Sequence, residues 1–135
     1  MTRRIGFEGK LYWGTAGSTA STELTIARDV SYSIQPTTAD VSDRSSIIDH
    51  SRVAGVTVGL EFEVNNDNDN AFIAAVRAAA IAGTTIAFRT RDRTNGVGLD
   101  GDFNVGLDES QALRDAQRIG VTCTPNNDIR SVQWN

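Results

Sequence analysis

Apolar residues recur at every second position through most of the chain. In "VTVGLEFEV" (56–64), Val56, Val58, Leu60, Phe62 and Val64 alternate with Thr57, Gly59, Glu61 and Glu63, as in a strand with one buried and one wet face. "TTIAFRTR" (84–91) sets Ile86 and Phe88 against Arg89 and Arg91. "LDGDFNVGL" (99–107) alternates Leu99, Phe103, Val105 and Leu107 with Asp100, Asp102 and Asn104. "RIGVTCT" (118–124) aligns Ile119, Val121 and Cys123 on one face, ahead of Pro125. Weaker strands are expected at 5–13, 24–34 and 130–134, and Asn95-Gly96 is a hairpin signal. The pattern predicts a mainly β, antiparallel sandwich or barrel-like fold of about six to eight strands.

One stretch breaks the period of two. "VNNDNDNAFIAAVRAAAIAG" (64–83) places six Asn and Asp residues ahead of an alanine-rich run. An EF-hand loop counted from Asn65 would need Gly at its sixth position and Glu at its twelfth, where Asn70 and Val76 stand. Calcium is therefore not indicated. Asn and Asp accept hydrogen bonds from the free N–H groups of a first helical turn, alanine favours the helix, and Gly83 supplies the stop. A helix over about 70–82 follows. Its one charge is Arg77. Phe72, Ile73, Val76 and Ile81 are expected to face the sheet, and Ala71, Ala74, Ala75, Ala78 and Ala82 form a stripe of small residues. A helix that is apolar all round should be buried all round. In so small a domain, a neighbouring subunit most easily covers the second side.

A second stretch, "PTTADVSDRSSIIDHSRVAG" (36–55), has only Ile47 and Ile48 as a strong apolar pair. It reads as a long polar loop over about 36–53, of the kind that is usually functional.

At 135 residues the chain is expected to form a single domain, 1–135. Its net charge of −4 and pI near 4.9 disfavour general attraction to nucleic acid or anionic membrane. A single cysteine, Cys123, excludes an intrachain disulfide. The arginines of "MTRRIGFEGKLYW" precede no apolar signal segment, and no run is long enough to cross a membrane, so a soluble, cytoplasmic chain is expected. Twelve arginines against one lysine suit an interface, where Arg is enriched and Lys depleted.

Candidate chemistry is sparse. Gly96, Gly98 and Gly101 match G-x-G-x-x-G, but a strand follows where the dinucleotide fingerprint needs a helix, so a glycine-rich hairpin is expected. His50, between Asp49 and Ser51, cannot form a triad with its sequence neighbours. One His and one Cys do not make a zinc site. Asp100 with Asp102, and Glu61 with Glu63, read as the wet faces of half-buried strands. Arg89, Arg91 and Arg93 suggest cross-strand ion pairs, with Glu61 and Glu63 as candidate partners. No enzyme, metal or cofactor is indicated.

The order of segments resembles the phage tail tube protein family, over about 10–134. "LYW" (11–13) and "ARDVSYSIQPTTADVSDRSS" (27–46) are similar to the family's opening strands. "VTVGLEFEVNNDNDNAFIAAVRAAAIAGTTIAF" resembles its strand, Asn-containing turn, helix and strand. "GLDGDFNVGLDESQALRDAQRIGVTCTPNNDIRSVQW" resembles its closing pattern, with Thr124-Pro125 where Lys-Pro is usual. The resemblance implies a homo-oligomer: hexameric rings stacked into a virion tail tube, assembled in the bacterial host cytoplasm. DNA would pass through the lumen without specific binding, and tape measure and tail terminator proteins would be partners. It makes Asp40, Arg44, Ile47, Ile48, Asp49, Arg52, Ala74 and Ala78 interface candidates, and Glu61, Glu63, Asp100 and Asp102 lumen candidates. Type VI secretion and contractile injection tubes share this architecture. The reading from a different class is a monomeric β-sandwich module binding carbohydrate or calcium.

Overall fold

The computed structural model describes residues 9–44, 48, 51–66, 70–111, 113, 117–126 and 130–135. The chain order is β1 (Lys10–Thr15), β2 (Thr22–Glu23), β3 (Ala27–Asp40), β4 (Ser51–Asn65), α1 (Ala71–Ala82), β5 (Thr85–Arg91), β6 (Leu99–Ser110), β7 (Arg118–Pro125) and β8 (Gln133–Trp134). All pairings are antiparallel, in the order β2-β1-β5-β6-β7-β4-β3, with β8 pairing β6. The anticipated sandwich or barrel is one sheet that curls into half a barrel, with one helix packed on it.

The alternation read from the sequence fills the space under the helix. Leu60, Phe62 and Val64 of β4, Phe88 of β5, Phe103 of β6, and Ile119, Val121 and Cys123 of β7 are all buried with Phe72, Ile73 and Val76 of α1. Phe72 lies at the centre. Its ring stands edge-on to Trp13 at 5.3 Å and to Phe88 at 6.1 Å, and tilts against Phe62 at 5.9 Å. Such offset geometries add to the stabilisation from burial.

The helix begins and ends as the sequence predicts. Asn70 Oδ1 accepts a hydrogen bond from the Phe72 N–H at 2.9 Å. Gly83 has φ 72°, and its N–H closes back on the Ala79 carbonyl. One assignment changes. Ile81 is 90% exposed, and Ala79 is buried in its place. At 3.6 residues per turn, Ile81 points well away from the row of Phe72, Ile73, Val76 and Ala79.

The expected loop 36–53 is strand at both ends. β3 runs to Asp40 and β4 starts at Ser51, with Pro36 opposite Val56, Thr38 opposite Val53 and Asp40 opposite Ser51. The period of two is hard to read there because no core lies beneath the outer half of the hairpin. Ladder hydrogen bonds and β-favouring threonines hold it instead, and Thr37 and Thr57 share a hydroxyl hydrogen bond at 3.3 Å.

Candidate assembly surfaces

The polar face of the sheet, opposite the helix, is a continuous wall. Register aligns Ser31, Glu61, Thr122 and Gly106 across four strands, and Arg28, Glu63, Gly120 and Asp108 in the next row. Half of these eight positions are glycine, serine or threonine, and the other half are three carboxylates and one guanidinium. Arg28 is occupied in a hydrogen bond to Asn65 Oδ1 at 3.4 Å. Glu61 and Glu63 thus share the polar face as expected, and Asp108 joins them.

The outer half of the β3–β4 hairpin forms an arm. Its apolar face continues the line of Leu60 and Val58 outward through Val56 and Val53, opposite Tyr32, Ile34, Pro36 and Thr38. Val53 is 63% exposed, Val56 60% and Ile34 48%. The C-terminal residues cover only the base of this face. Val132 packs on the core, the Trp134 ring lies 6.2 Å from Tyr32, and a groove of about 290 Å³ remains between Ile34, Val56, Val58, Val132 and Trp134. Near the tip, Asp40 accepts the Ser42 N–H at 2.8 Å, and hydrogen bonds from Ser42 hold its carboxyl below the usual range. Arg52 pairs in register with Ala39, and Arg44 and Ile48 are exposed beyond it. Ile47, Asp49 and His50 lie outside the described residues.

The third surface belongs to α1. Ala71, Ala74, Ala78, Ile81 and Ala82 form an uncharged exposed face. Arg77 turns aside to pair with Glu109 of β6. Beside this face, a groove of about 540 Å³ runs between Ala75, Ala78, Ala79 and Ala82 of the helix and Trp13–Ala16 and Thr84–Ile86 of the sheet. Ala74 and Ala78 are therefore exposed within the subunit.

Asp100 and Asp102 require correction. They are neither a wet strand face nor a lumen surface, being 0% and 1% exposed. The turn after β1 folds over them, and the C-terminal residues close the site. Arg130 bridges the pair, donating from Nε to Asp102 Oδ1 at 2.9 Å and from Nη1 to Asp100 Oδ1 at 3.1 Å. The Gly17 N–H donates to Asp102 Oδ2 at 3.0 Å, and the Thr19 hydroxyl to Asp100 Oδ2 at 3.2 Å. Burial works against the Arg130 charge, but the hydrogen bond to Asp102 and the two carboxylates outweigh it and raise its pKa. Nothing in the local sequence marks Arg130 as their partner, because the contact spans about thirty positions.

The remaining expectations divide. β5 is separated from β4 by β6 and β7, so its arginines cannot pair with Glu61 or Glu63. Arg89 instead donates to the Asn135 carbonyl at 3.0 Å, Arg91 lies over the Tyr12 ring at 4.9 Å, and Arg93 pairs with Asp92 at 3.4 Å. Gly96, Gly98 and Gly101 do lie in a hairpin, and a Cβ on Gly101 would fall 2.7 Å from Val132 Cγ2. Cys123 is buried, which pushes its thiol up to about 12. Among the described residues, no group of three or more His, Cys, Asp or Glu could hold a metal ion, and no helix is long and apolar enough to cross a membrane.

By sequence, no family model and no curated protein matches the chain. Solved structures match along its full length. The tail of an empty gene transfer agent particle, refined helically with C6 symmetry, gives a TM-score of 0.78 at 14% identity, over 98% of this chain and 99% of that one. The SPP1 tail tube gives 0.78 at 12% identity, over 98% of this chain and 79% of that one. A structure of the sheath/tube terminator of PVC, an extracellular contractile injection system, gives 0.66 at 8% identity, over 100% and 98%. The chain shares its fold with these tail and tube structures.

Proposed function

We propose that the chain is the repeating subunit of a tail tube in a phage or phage-like particle. Copies join side by side into a ring, and rings stack into a tube through which DNA passes. The observation that carries this reading is the arm: an amphipathic hairpin whose apolar face outruns its own core, in a fold shared with tail tubes. A monomer gains nothing from holding Val53, Val56 and Ile34 in water, since burying each such side chain stabilises by about 1.5–3 kcal/mol.

The sheet edges suit side-by-side joining. β3 offers a 14-residue outer edge, and β2 covers only Tyr12 and Trp13 of β1 at the other end. Open edges of this length normally pair or aggregate. A ring closes both at once, and six-fold symmetry is the reading favoured by the C6 tail of similar fold. The polar wall then lines the lumen. Glu61, Glu63 and Asp108 repel phosphates, and the small neighbours give a strand of DNA nothing to stack on. Asp100 and Asp102 take no part. The helix lies on the outer side. Tape measure and terminator proteins are partners by role, the mature location is the virion tail, and assembly takes place in the host cytoplasm. No catalytic step is involved.

Light scattering tests the reading against a variant in which residues 38–53 are replaced by a two-residue turn. The full chain forms particles far above 14.5 kDa that grow with concentration, and the folded short-arm variant forms none larger than a single ring. A full chain that remains a monomer at every concentration would overturn the reading.

A further inference from the structure

β3 ends the sheet, and its outer edge is not uniform along its length. We infer that Asp29 and Pro36 confine strand addition on that edge to Tyr32 and Ile34. One neighbouring copy can then join the sheet, but arms cannot zip together into open, growing sheets. This rests on the tube reading, and adds where on β3 a copy joins and what stops the joining.

Register sets the direction of the backbone groups. Pro36 stands opposite Val56 in an unbroken ladder, between Gln35 opposite Thr57 and Thr37 opposite Gly55. Proline has no N–H, so it cannot belong to a pair that exchanges both ladder bonds, and the pairs on either side carry them. Pro36 therefore turns its nitrogen outward. Directions alternate along a strand. The N–H and C=O groups of Tyr32 and Ile34 also point outward, and those of Ser31, Ser33 and Gln35 point to β4. A joining strand finds both groups at Tyr32 and at Ile34, and only a carbonyl at Pro36.

Irregular backbone bounds the stretch at each end. Asp29 has φ 50°, and the register shifts between Arg28 and Ser31, so Asp29 and Val30 form a bulge opposite Phe62. A bulge bends its strand and interrupts the ladder. Just past Pro36 a second shift follows, between Thr37 and Thr38.

The residues between these stops show why stops are needed. Val30-Ser31-Tyr32-Ser33-Ile34-Gln35 has no charge, no glycine and no proline, and its three apolar side chains are exposed. A short, uncharged, β-favouring segment on an open edge pairs with copies of itself without limit. A charge on one flank and a proline on the other halt such pairing.

Amide hydrogen exchange, read residue by residue, tests the joining on the native chain in assembled particles and in the dispersed subunit. Assembly should slow the Tyr32 and Ile34 amides by about fivefold or more, as a hydrogen bond of ordinary net strength requires. Ser33 and Gln35, already bonded to β4, serve as internal controls. Pro36→Thr restores the missing N–H without adding charge. It should keep the native circular dichroism spectrum and form thioflavin T-binding open sheets in place of closed particles. Ile34→Pro removes an N–H that β4 does not use, and should stay folded and lose assembly. Native particles in which Tyr32 and Ile34 exchange as fast as in the dispersed subunit would overturn the joining and leave the tube reading standing. Pro36→Thr particles identical to the native ones, without thioflavin T signal, would overturn the role of Pro36. If the native chain forms no particles at any concentration, the tube reading and the joining fail together.

Discussion

Replacing Arg130 with methionine removes the one guanidinium that joins Asp100 and Asp102, and retains an apolar stem of similar length. Losing one partner of a buried ion pair costs about 3–5 kcal/mol, chiefly because the other charge is left without compensation. Here two carboxylates lose their shared cation, with side chains 0% and 2% exposed, whereas the arginine itself keeps 17% exposure. Gln133 and Asn135 still donate to Asp100 at 3.4 Å. Asp102 keeps the Gly17 N–H and Asp100 keeps the Thr19 hydroxyl, so the low end of the range applies, about 3 kcal/mol. For a domain of this size each kcal/mol shifts Tm by roughly 3–5 °C, which gives a fall of ~10 °C. Urea and thermal unfolding followed by far-UV circular dichroism measure it. The control is Arg77→Met, which breaks an ion pair whose side chains are 37% and 39% exposed, and should cost under ~1 kcal/mol. Adding Asp100→Asn and Asp102→Asn to Arg130→Met should recover much of the loss. An Arg130→Met protein no less stable than Arg77→Met would refute the view that this cluster fastens the C-terminal segment to β6.

The same fastening makes Gly101→Val displace Val132. The amides of Gly98 and Asn135, which bond each other's carbonyls at 2.9 Å, should then exchange faster, with a stability loss of about 1–3 kcal/mol. Asn70→Ala removes the cap on Phe72 and should cost about 1 kcal/mol in urea unfolding. Burial raises the Cys123 thiol from 9.0 to about 12, so the folded chain keeps a proton that the unfolded chain has lost. The thiol's contribution to stability is therefore complete below pH 9 and declines as pH rises toward 12. Urea midpoints measured across that window should show the decline in the native chain and a shallower one in Cys123→Ala.

The elements under the helix were legible because each has a core to alternate against. Val56–Val64, the Asn70 cap and the Gly83 stop could be read from a few adjacent residues. The arm was not, because a hairpin that runs past its core has no buried face to alternate against, and Thr37, Thr38 and Asp40 then look like a loop. Asp100 and Asp102 misled for the opposite reason. Alternation identifies the face that does not join the core, but not whether a turn and a distant Arg130 will cover it. The hydrophobicity of Ile81 points to the core, but its angle around the helix turns it outward. Its exposure, with that of Ala74 and Ala78, is consistent with a surface left for a neighbour.

The tube proposed for this subunit is hollow and lined by polar side chains. Negative-stain electron microscopy of the purified chain over a concentration series tests it most directly. Rings or stacked tubes with an open central channel are expected, with six-fold class averages seen down the axis. Dispersed monomers at every concentration, or closed two-fold dimers, would contradict it.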